Sequence, residues 1–286
     1  MTAFLAVGAA AVYGAGDFFG GVASRRADPL HVGAISQIAG LLLGVLLLPF
    51  FNTTTAHSGQ LAWAVAGGLS GGAGVVGLYA ALALGQMSVI APIAGVCAAA
   101  VPVLVGTSLG EHLSEPAIIG IGLAIVAIGL VSRHQQNESH QAERLDSQIK
   151  LKKGIALATV AGIALGFFFV CVAEARGQGS PSLLLVARLA SSVMFAGIVI
   201  SRRTWPKLGS MVGAAAAGAG LLDMMGGLLY ILAARISHLA VVGVLASLYP
   251  VSTIILARTA LREHISLVQK VGIMCAVAAI LLVGIR

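Results

Sequence analysis

The stretch Glu111-His112-Leu113-Ser114 recurs with one conservative change as Glu263-His264-Ile265-Ser266, 152 positions later, and this recurrence is the first indication of the fold. The match extends well beyond the two stretches, since an offset of 151 aligns Leu78-Tyr79 with Leu229-Tyr230. Further aligned pairs are Gly120 with Gly272, Ala124 with Ala276, Val131 with Val283, and Asp28-Pro29 with Ser180-Pro181. A nearly constant offset over most of the chain indicates an internal duplication.

The composition places both repeats in a lipid bilayer. Hydrophobic residues make up 58% of the 286 positions, charged residues make up only 9%, and the mean hydropathy is +1.00. Apolar runs of about 20 residues recur along the chain, and each has the length that a helix needs to cross the hydrocarbon core. Ten such spans are predicted: Thr2–Val22, Leu30–Phe51, Leu61–Leu84, Ser88–Leu109, Pro116–Val131, Gly154–Ala173, Leu183–Ile200, Leu208–Ile231, Leu239–Leu256 and Ser266–Ile285.

The ten spans fall into two sets of five. Residues 1–132 hold the first five-helix repeat and residues 154–286 the second, and the charged segment 133–153 is predicted to be a linker between them. Because each repeat has an odd number of spans, the second repeat must enter the membrane in the opposite sense. The predicted fold class is therefore all-α, a polytopic membrane protein of ten transmembrane helices in a 5+5 inverted repeat. Many secondary transporters have this architecture.

The basic residues predict the orientation in the membrane. Thirteen of the seventeen Lys and Arg residues lie in or beside the loops that follow odd-numbered spans. The positive-inside rule assigns these loops and the linker to the cytoplasm, and both termini to the opposite side. The net charge of +7 does not indicate nucleic-acid binding, because the basic residues form short clusters between apolar runs.

Several motifs resemble those of the EamA family of the drug/metabolite transporter superfamily. Besides the five-plus-five repeat, they are Leu-Tyr-Ala-Ala-Leu at 78–82, Ile-Ala-Pro at 90–92, Gly-Glu-His-Leu-Ser at 110–114, Leu-Tyr at 229–230, Ser-Leu-Tyr-Pro-Val at 247–251 and Glu-His-Ile-Ser at 263–266. The resemblance covers nearly the whole chain. It implies an exporter of amino acids or other metabolites, with a central cavity lined by equivalent helices of both halves.

Two positions depart from the pattern of that family. Its second span often carries an arginine near the middle, and this chain has Arg188 in the second repeat but Ser36-Gln37 in the first. The Trp-Gly pair common in the first span of the family is Tyr13-Gly14 here. The resemblance thus makes Tyr13, Gln37 and Arg188 candidates for the substrate site.

Ionisable residues inside a span are candidates for function, because each costs roughly 2.5–3.5 kcal/mol at the centre of the bilayer. Asp17, Arg188 and Asp223 lie deep in the first, seventh and eighth spans, whereas Glu174 lies near the end of the sixth. Asp17 and Asp223 offer sites for a proton or an amine, and Arg188 offers a site for a carboxylate. In the structural alternative, Asp223 neutralises Arg188 and locks two helices together.

Glycine and tyrosine residues complete the candidate site. The third and eighth spans occupy corresponding positions in the two repeats, and both are rich in glycine. This pattern indicates a binding site at the membrane midplane or close helix packing. Tyrosines within spans either pack with a satisfied hydroxyl or line a substrate site. The four tyrosines considered are Tyr13, Tyr79, Tyr230 and Tyr249.

The sequence predicts a secondary-active transporter that exports a small metabolite, such as an amino acid, by alternating access, with or without coupling to protons. The alternatives are an uncoupled facilitator, an exporter of cationic or drug-like compounds, and a membrane-embedded enzyme acting on lipid. No catalytic, metal or cofactor motif is recognised, since the glycine runs lie inside spans and the three cysteines lack paired spacing. Expected partners are the substrate, protons and membrane lipid but no nucleic acid, for a monomer or homodimer in the bacterial inner membrane.

Overall fold

The structure, a computed structural model, describes residues 2–50, 57–108, 115–131, 141–174, 181–204, 208–236, 248–263 and 266–283. This part of the chain contains ten α-helices and no β-strand. The helices are α1 Thr2–Ser24, α2 Pro29–Leu47, α3 Ser58–Leu84, α4 Met87–Ser108 and α5 Glu115–Val131, then α6 Gln141–Glu174, α7 Pro181–Ser201, α8 Ser210–Ile236, α9 Tyr249–Ala260 and α10 Leu267–Val283. The predicted all-α fold with two sets of five helices is confirmed.

Six of the described helices are long and apolar enough to cross a membrane. Their apolar stretches are Phe4–Ser24, Pro29–Phe50, Ser58–Leu84, Gln148–Val172, Ser182–Ser201 and Ser210–Ala233. Large apolar side chains such as Phe4, Leu46 and Met211 are mostly exposed on the outside of the bundle. This exposure is expected where acyl chains are the solvent. The chain is therefore an integral, multi-pass membrane protein.

Capping side chains set where several helices begin. The carboxylate of Asp28 accepts a hydrogen bond of 2.9 Å from the amide of Leu30, and Pro29 occupies the first turn of α2. Both features are typical of a helix start. Ser266 and Gln269 form reciprocal bonds of 3.2 and 3.0 Å at the start of α10. The last residue of the repeated stretch at 263–266 is therefore a helix cap.

Helix α6 begins earlier than the sequence predicts. The sixth span is predicted from Gly154, whereas α6 runs from Gln141 to Glu174. Residues 141–153 of the predicted linker are therefore helical and continuous with the sixth span. Residues 133–140 and 239–247, the remainder of that linker and the first part of the predicted ninth span, lie outside the described residues.

The two repeats pack so that exchanging one for the other reproduces the helix contacts. Helix α1 contacts α8, and their counterparts α6 and α3 contact each other. The contact of α2 with α8 corresponds to that of α7 with α3, and α2 packs against its own counterpart α7. Helices α1 and α8 are antiparallel, because Gly8 lies beside Leu229 whereas Gly16 lies beside Ala219. These relations are those of an inverted repeat.

The described loop residues at one end of the bundle include several basic side chains. Arg25, after α1, donates a hydrogen bond of 3.1 Å to the carbonyl of Gly85, between α3 and α4. His31, at the start of α2, lies 3.2 Å from the carbonyl of Thr204, after α7. We call this end of the bundle the charged end, and the opposite end, where α1 begins, the N-terminal end. The positive-inside rule predicts that the charged end faces the cytoplasm.

Glycine allows helices of opposite repeats to approach closely at two equivalent places. A Cβ atom added to Gly220 of α8 would overlap the main chain of Ser36 in α2. A Cβ atom added to Gly68 of α3 would overlap the main chain of Ala187 in α7 in the same way. Offsets of 151 and 152 relate these two contacts, so the duplication has preserved them.

We predict that Gly220→Ala destabilises the protein by about 1–3 kcal/mol, because the backbone of Ser36 cannot move aside as a flexible side chain would. Gly218→Ala in the same helix is the matched control, since a Cβ added there meets no described atom within 4 Å. Thermal unfolding of both variants in one detergent measures the difference. Equal melting temperatures would contradict the role of Gly220 as a contact between repeats.

Candidate functional site

A cavity lies between the two repeats and extends from the level of Asp17 toward the N-terminal end. The space open to the centre of a water molecule is about 80 Å³, room for roughly five to eight waters. By helical rise, Asp17 lies about 10 Å from the charged end of α1, and Leu184 lies about 5 Å from the N-terminal end of α7. The lining residues are Tyr13, Asp17, Gln37, Gly67, Gly68, Gly71, Gly72, Val75, Leu165, Phe168, Phe169, Leu184, Ala187, Arg188, Ser191, Asp223 and Tyr249.

Arg188 is the centre of a buried hydrogen-bond network. Its guanidinium donates to the carboxylate of Asp223 on α8 and, at 2.6 Å, to the Oε1 of Gln37 on α2. The hydroxyl of Ser191 donates to the same Gln37 oxygen at 2.9 Å. Pairing and hydrogen bonding of this kind allow a guanidinium to remain charged away from water. The Asp223–Arg188 pair considered from the sequence is present.

Gln37 and Arg188 occupy equivalent positions of the two repeats, 151 residues apart, and contact each other. Helices α2 and α7 are counterparts that pack together, so the middle of one meets the middle of the other. Two arginines at this place would repel each other, whereas the amide oxygen of glutamine accepts a hydrogen bond from a guanidinium. The glutamine of the first repeat is therefore the complement of the arginine of the second.

Asp17 lines the same cavity without such a partner. In the described part of the chain, its carboxylate takes part in no ion pair or hydrogen bond. Tyr13, Tyr79 and Tyr249 lie close enough to interact with it electrostatically. The hydroxyl of Tyr249 is buried and has no hydrogen-bond partner among the described residues. Asp17 is therefore available to a proton or a cation.

The wall opposite Asp17 is apolar. With the repeat offsets of 151 and 152, the positions in α6 that correspond to Asp17 are Phe168 and Phe169. Both phenylalanines line the cavity, and their ring centres are 5.6 Å apart. Equivalent helix positions thus form an acidic wall on α1 and an aromatic wall on α6.

Six of the eight residues predicted for the site line the cavity, namely Tyr13, Asp17, Gln37, Arg188, Asp223 and Tyr249. The other two lie outside its lining. Tyr79 is only 1% exposed, and its hydroxyl is 3.4 Å from the Oγ of Ser36. Tyr230 packs beside Ala6 and Ala233 toward the N-terminal end.

The glycine-rich helices α3 and α8 have different roles at this site. Four glycines of α3 line the cavity, which leaves a wall without side chains, whereas no glycine of α8 is among the lining residues. In α8, Gly220 packs against α2, and Gly226 packs against the ring of Tyr13. Helix α3 therefore both borders the cavity and packs closely through Gly68, whereas the two glycines of α8 named above serve close packing. No described group of three or more His, Cys, Asp or Glu residues could hold a metal ion.

The sequence reasoning did not select Arg25 and Glu263, which join the two repeats at the charged end. The carboxylate of Glu263 accepts hydrogen bonds from Arg25 Nη2 at 3.1 Å and from the amides of Met87 and Ser88 at 3.0 and 3.1 Å. The hydroxyl of Ser88 also donates to it at 2.7 Å. Glu263 therefore caps α4 of the first repeat from the second repeat. The available signal was the recurrence of this glutamate in the repeated stretch.

A buried apolar cluster fills the bundle on the charged-end side of the cavity. It includes Phe18, Leu82, Met87, Ile90 and Ala257, which come from helices of both repeats and are at most 6% exposed. By helical rise, these side chains lie nearer the charged end than Asp17 does. They therefore separate the cavity from the charged end.

We predict that the two acidic residues of the cavity differ in their effect on stability. Asp223→Asn leaves Arg188 buried without its counter-charge and should cost about 3–5 kcal/mol. Asp17→Asn removes an unpaired carboxylate and should leave stability unchanged or raise it. Thermal unfolding of the two chemically matched variants tests this, and equal losses would contradict an unpaired Asp17.

We also predict that Glu263→Ala destabilises the protein by about 1.5–3 kcal/mol, because charge-assisted hydrogen bonds to α4 and Arg25 are lost. Glu115→Ala is the control, since Glu115 is exposed at the start of α5. Melting temperatures in the same detergent compare them. If Glu263→Ala melted no lower than Glu115→Ala, the capping role would be wrong.

Three comparisons with known proteins agree with the repeat. The model of the EamA-like transporter family matches residues 1–133 and 152–285, which correspond to the two repeats. An uncharacterised protein of Methanocaldococcus jannaschii is 31% identical over 124 residues, covering 43% of this chain and 90% of that protein. A solved crystal structure superposes with a TM-score of 0.62 over 96% of this chain and 98% of its own, at 15% identity. The last likeness shows the fold alone.

Proposed function

Because the chain belongs to the EamA-like transporter family, we propose that it is a secondary-active transporter that moves a small metabolite by alternating access between its two repeats. The observation that carries this proposal is the cavity between inverted repeats, lined by the carboxylate of Asp17, which has no ion-pair or hydrogen-bond partner among the described residues. A molecule bound there would contact both repeats. A change in the packing of the repeats would therefore change the side from which the molecule is accessible.

The two ends of the bundle differ in a way that supports alternating access. The cavity extends toward the N-terminal end as far as Leu184 and Gly67. Toward the charged end, the apolar cluster around Leu82 and Met87 and the contact of Arg25 with Glu263 close the path. To open that path, the repeats would have to separate at the Arg25–Glu263 contact.

Asp17 is the proposed group for coupling to protons. The other charged residues among the described lining, Arg188 and Asp223, are paired with each other, and Tyr13 and Tyr249 interact electrostatically with Asp17. In this largely apolar setting, a bound cation stabilises the ionised carboxylate of Asp17, whereas the protonated carboxyl group needs no counter-charge. A proton and a substrate would therefore compete for Asp17, and such competition couples their opposite movements if the transporter changes its access side only when Asp17 is occupied.

The proposal includes export from the cytoplasm across the bacterial inner membrane by a monomer or homodimer, in line with the family resemblance. An amino acid is one candidate substrate, with its amine at Asp17. Its carboxylate would have to compete with Asp223 for Arg188, since the two side chains are already in contact. An uncoupled facilitator is the alternative, in which Asp17 binds the substrate but carries no proton.

We predict that purified protein in liposomes accumulates its substrate when a pH gradient is imposed, and that Asp17→Asn abolishes this accumulation. Radiolabelled amino acids and amines are assayed with and without the gradient, with empty liposomes as the background. Glu115→Gln is the matched control, because Glu115 is an exposed acid outside the cavity. Flux equal to that of empty liposomes for every compound would count against transport of those compounds. Accumulation retained by Asp17→Asn would remove Asp17 from the coupling role.

A further inference from the structure

We propose that the ligand of this cavity is a small organic monocation with an aryl or alkyl group, and that the site discriminates against zwitterions. This inference rests on the proposed transport function and specifies its substrate class. Three features of the cavity carry it: the balance of charge, the tyrosines around Asp17 and the aromatic wall opposite.

The charges that line the cavity do not cancel. When Asp17 is ionised, Asp17 and Asp223 contribute two negative charges and Arg188 contributes one positive charge, which leaves a formal charge of −1. Arg188 and Asp223 neutralise each other in direct contact, so the excess charge lies at Asp17. In a region of low dielectric, an uncompensated carboxylate favours a cationic ligand.

A carboxylate on the ligand would find no free counter-charge among the described lining residues. The guanidinium of Arg188 already donates to Asp223 and Gln37, and the Arg188 side chain is only 10% exposed. A zwitterion would have to displace Asp223, which would then be left buried and unpaired. An amine without a carboxylate avoids this cost, because it needs only Asp17.

Tyrosines surround the carboxylate that would hold the ammonium group. Tyr13 and Tyr249 line the cavity, and Tyr249 is 93% buried with a hydroxyl that has no described hydrogen-bond partner. Tyrosine rings attract ammonium groups through their π-faces, and such aromatic surroundings recognise alkylated ammonium ions. Asp17 with Tyr13 and Tyr249 therefore forms an ammonium subsite.

The opposite wall suits the apolar part of the same ligand. Phe168 and Phe169 line it, together with Leu165, and Gly71 lies against the ring of Phe168. A flat aryl group can stack on these rings. The cavity volume of about 80 Å³ favours a small ligand. Phenylethylammonium meets these requirements, and phenylalanine differs from it only by the added carboxylate.

The test measures binding of radiolabelled phenylethylamine and phenylalanine to the full-length protein in lipid nanodiscs at pH 7. We expect phenylethylamine to bind at least ten-fold more tightly than phenylalanine. Asp17→Asn should weaken phenylethylamine binding at least ten-fold, and Asp17→Glu should restore it to within about three-fold. The rescue by glutamate shows that a loss in the asparagine variant reflects charge and not misfolding.

A second pair of variants tests the aromatic wall. Phe168→Ala should weaken phenylethylamine binding about ten-fold but leave methylammonium binding unchanged, because methylammonium has no aryl group to stack. Phe167→Ala is the matched control, since the neighbouring ring is 48% exposed on the outside of the bundle. Equal effects of the two substitutions would overturn the assignment of the apolar subsite.

The outcomes separate this inference from the proposed transport function. Tighter binding of phenylalanine, or no binding of phenylethylamine, would overturn the monocation class, even if liposomes showed phenylalanine transport. Binding of phenylethylamine that depends on Asp17, in a protein that moves no compound across liposomes, would uphold the class and contradict transport. Binding that persists in Asp17→Asn would show that another group attracts the cation and would also overturn the inference.

Discussion

Helices inside a bilayer gain little from hiding apolar surface, because lipid is as apolar as their side chains, so this bundle depends on the close approach of main chains. Glycine provides that approach between the repeats. Gly14 packs against the main chain of Tyr249, and its counterpart Gly166 packs against that of Ala98. Together with the contacts of Gly68 and Gly220, these four contacts join helices that, except for α4, contribute residues to the cavity lining. The dimensions of the cavity are therefore set by residues that have no side chain.

The cost of polar groups away from water explains why so few charges are present and why their arrangement is informative. Arg188 and Asp223 neutralise each other, and Gln37 and Ser191 complete their hydrogen bonds. Glu263 is satisfied by Arg25 and by the first turn of α4. Asp17 differs from both because the described residues supply it with no counter-charge. A structural role accounts for the paired residues Arg188, Asp223 and Glu263. The carboxylate of Asp17 would be stabilised by a bound cation or by protonation.

Much of the fold could be predicted, since length, hydropathy and the repeated offset all depend on local sequence. Asp17, Arg188 and Asp223 could be selected because an ionisable residue within an apolar span is conspicuous. The sequence could not predict that Tyr13 lines the cavity whereas Tyr79 does not. These helices are apolar on every face, so their sequence does not reveal which face turns inward. The role of Glu263 depends on α4, which is 175 residues away in the chain. The early start of α6 escaped prediction because its first turns are polar, and hydropathy marks only the lipid-buried part of a helix.

The contact between Gln37 and Arg188 has a consequence for how a duplicated chain can evolve. If two identical copies of one repeat packed as these halves do, the residue at this position would face its own copy on the symmetry axis. An arginine would then oppose an arginine, and no substitution could change one of the two without changing the other. Joining both copies in one polypeptide removes this restriction, because the two positions can mutate separately. A donor and an acceptor can then meet on the axis, and the two sides of the binding chamber are free to specialise for opposite ends of one molecule.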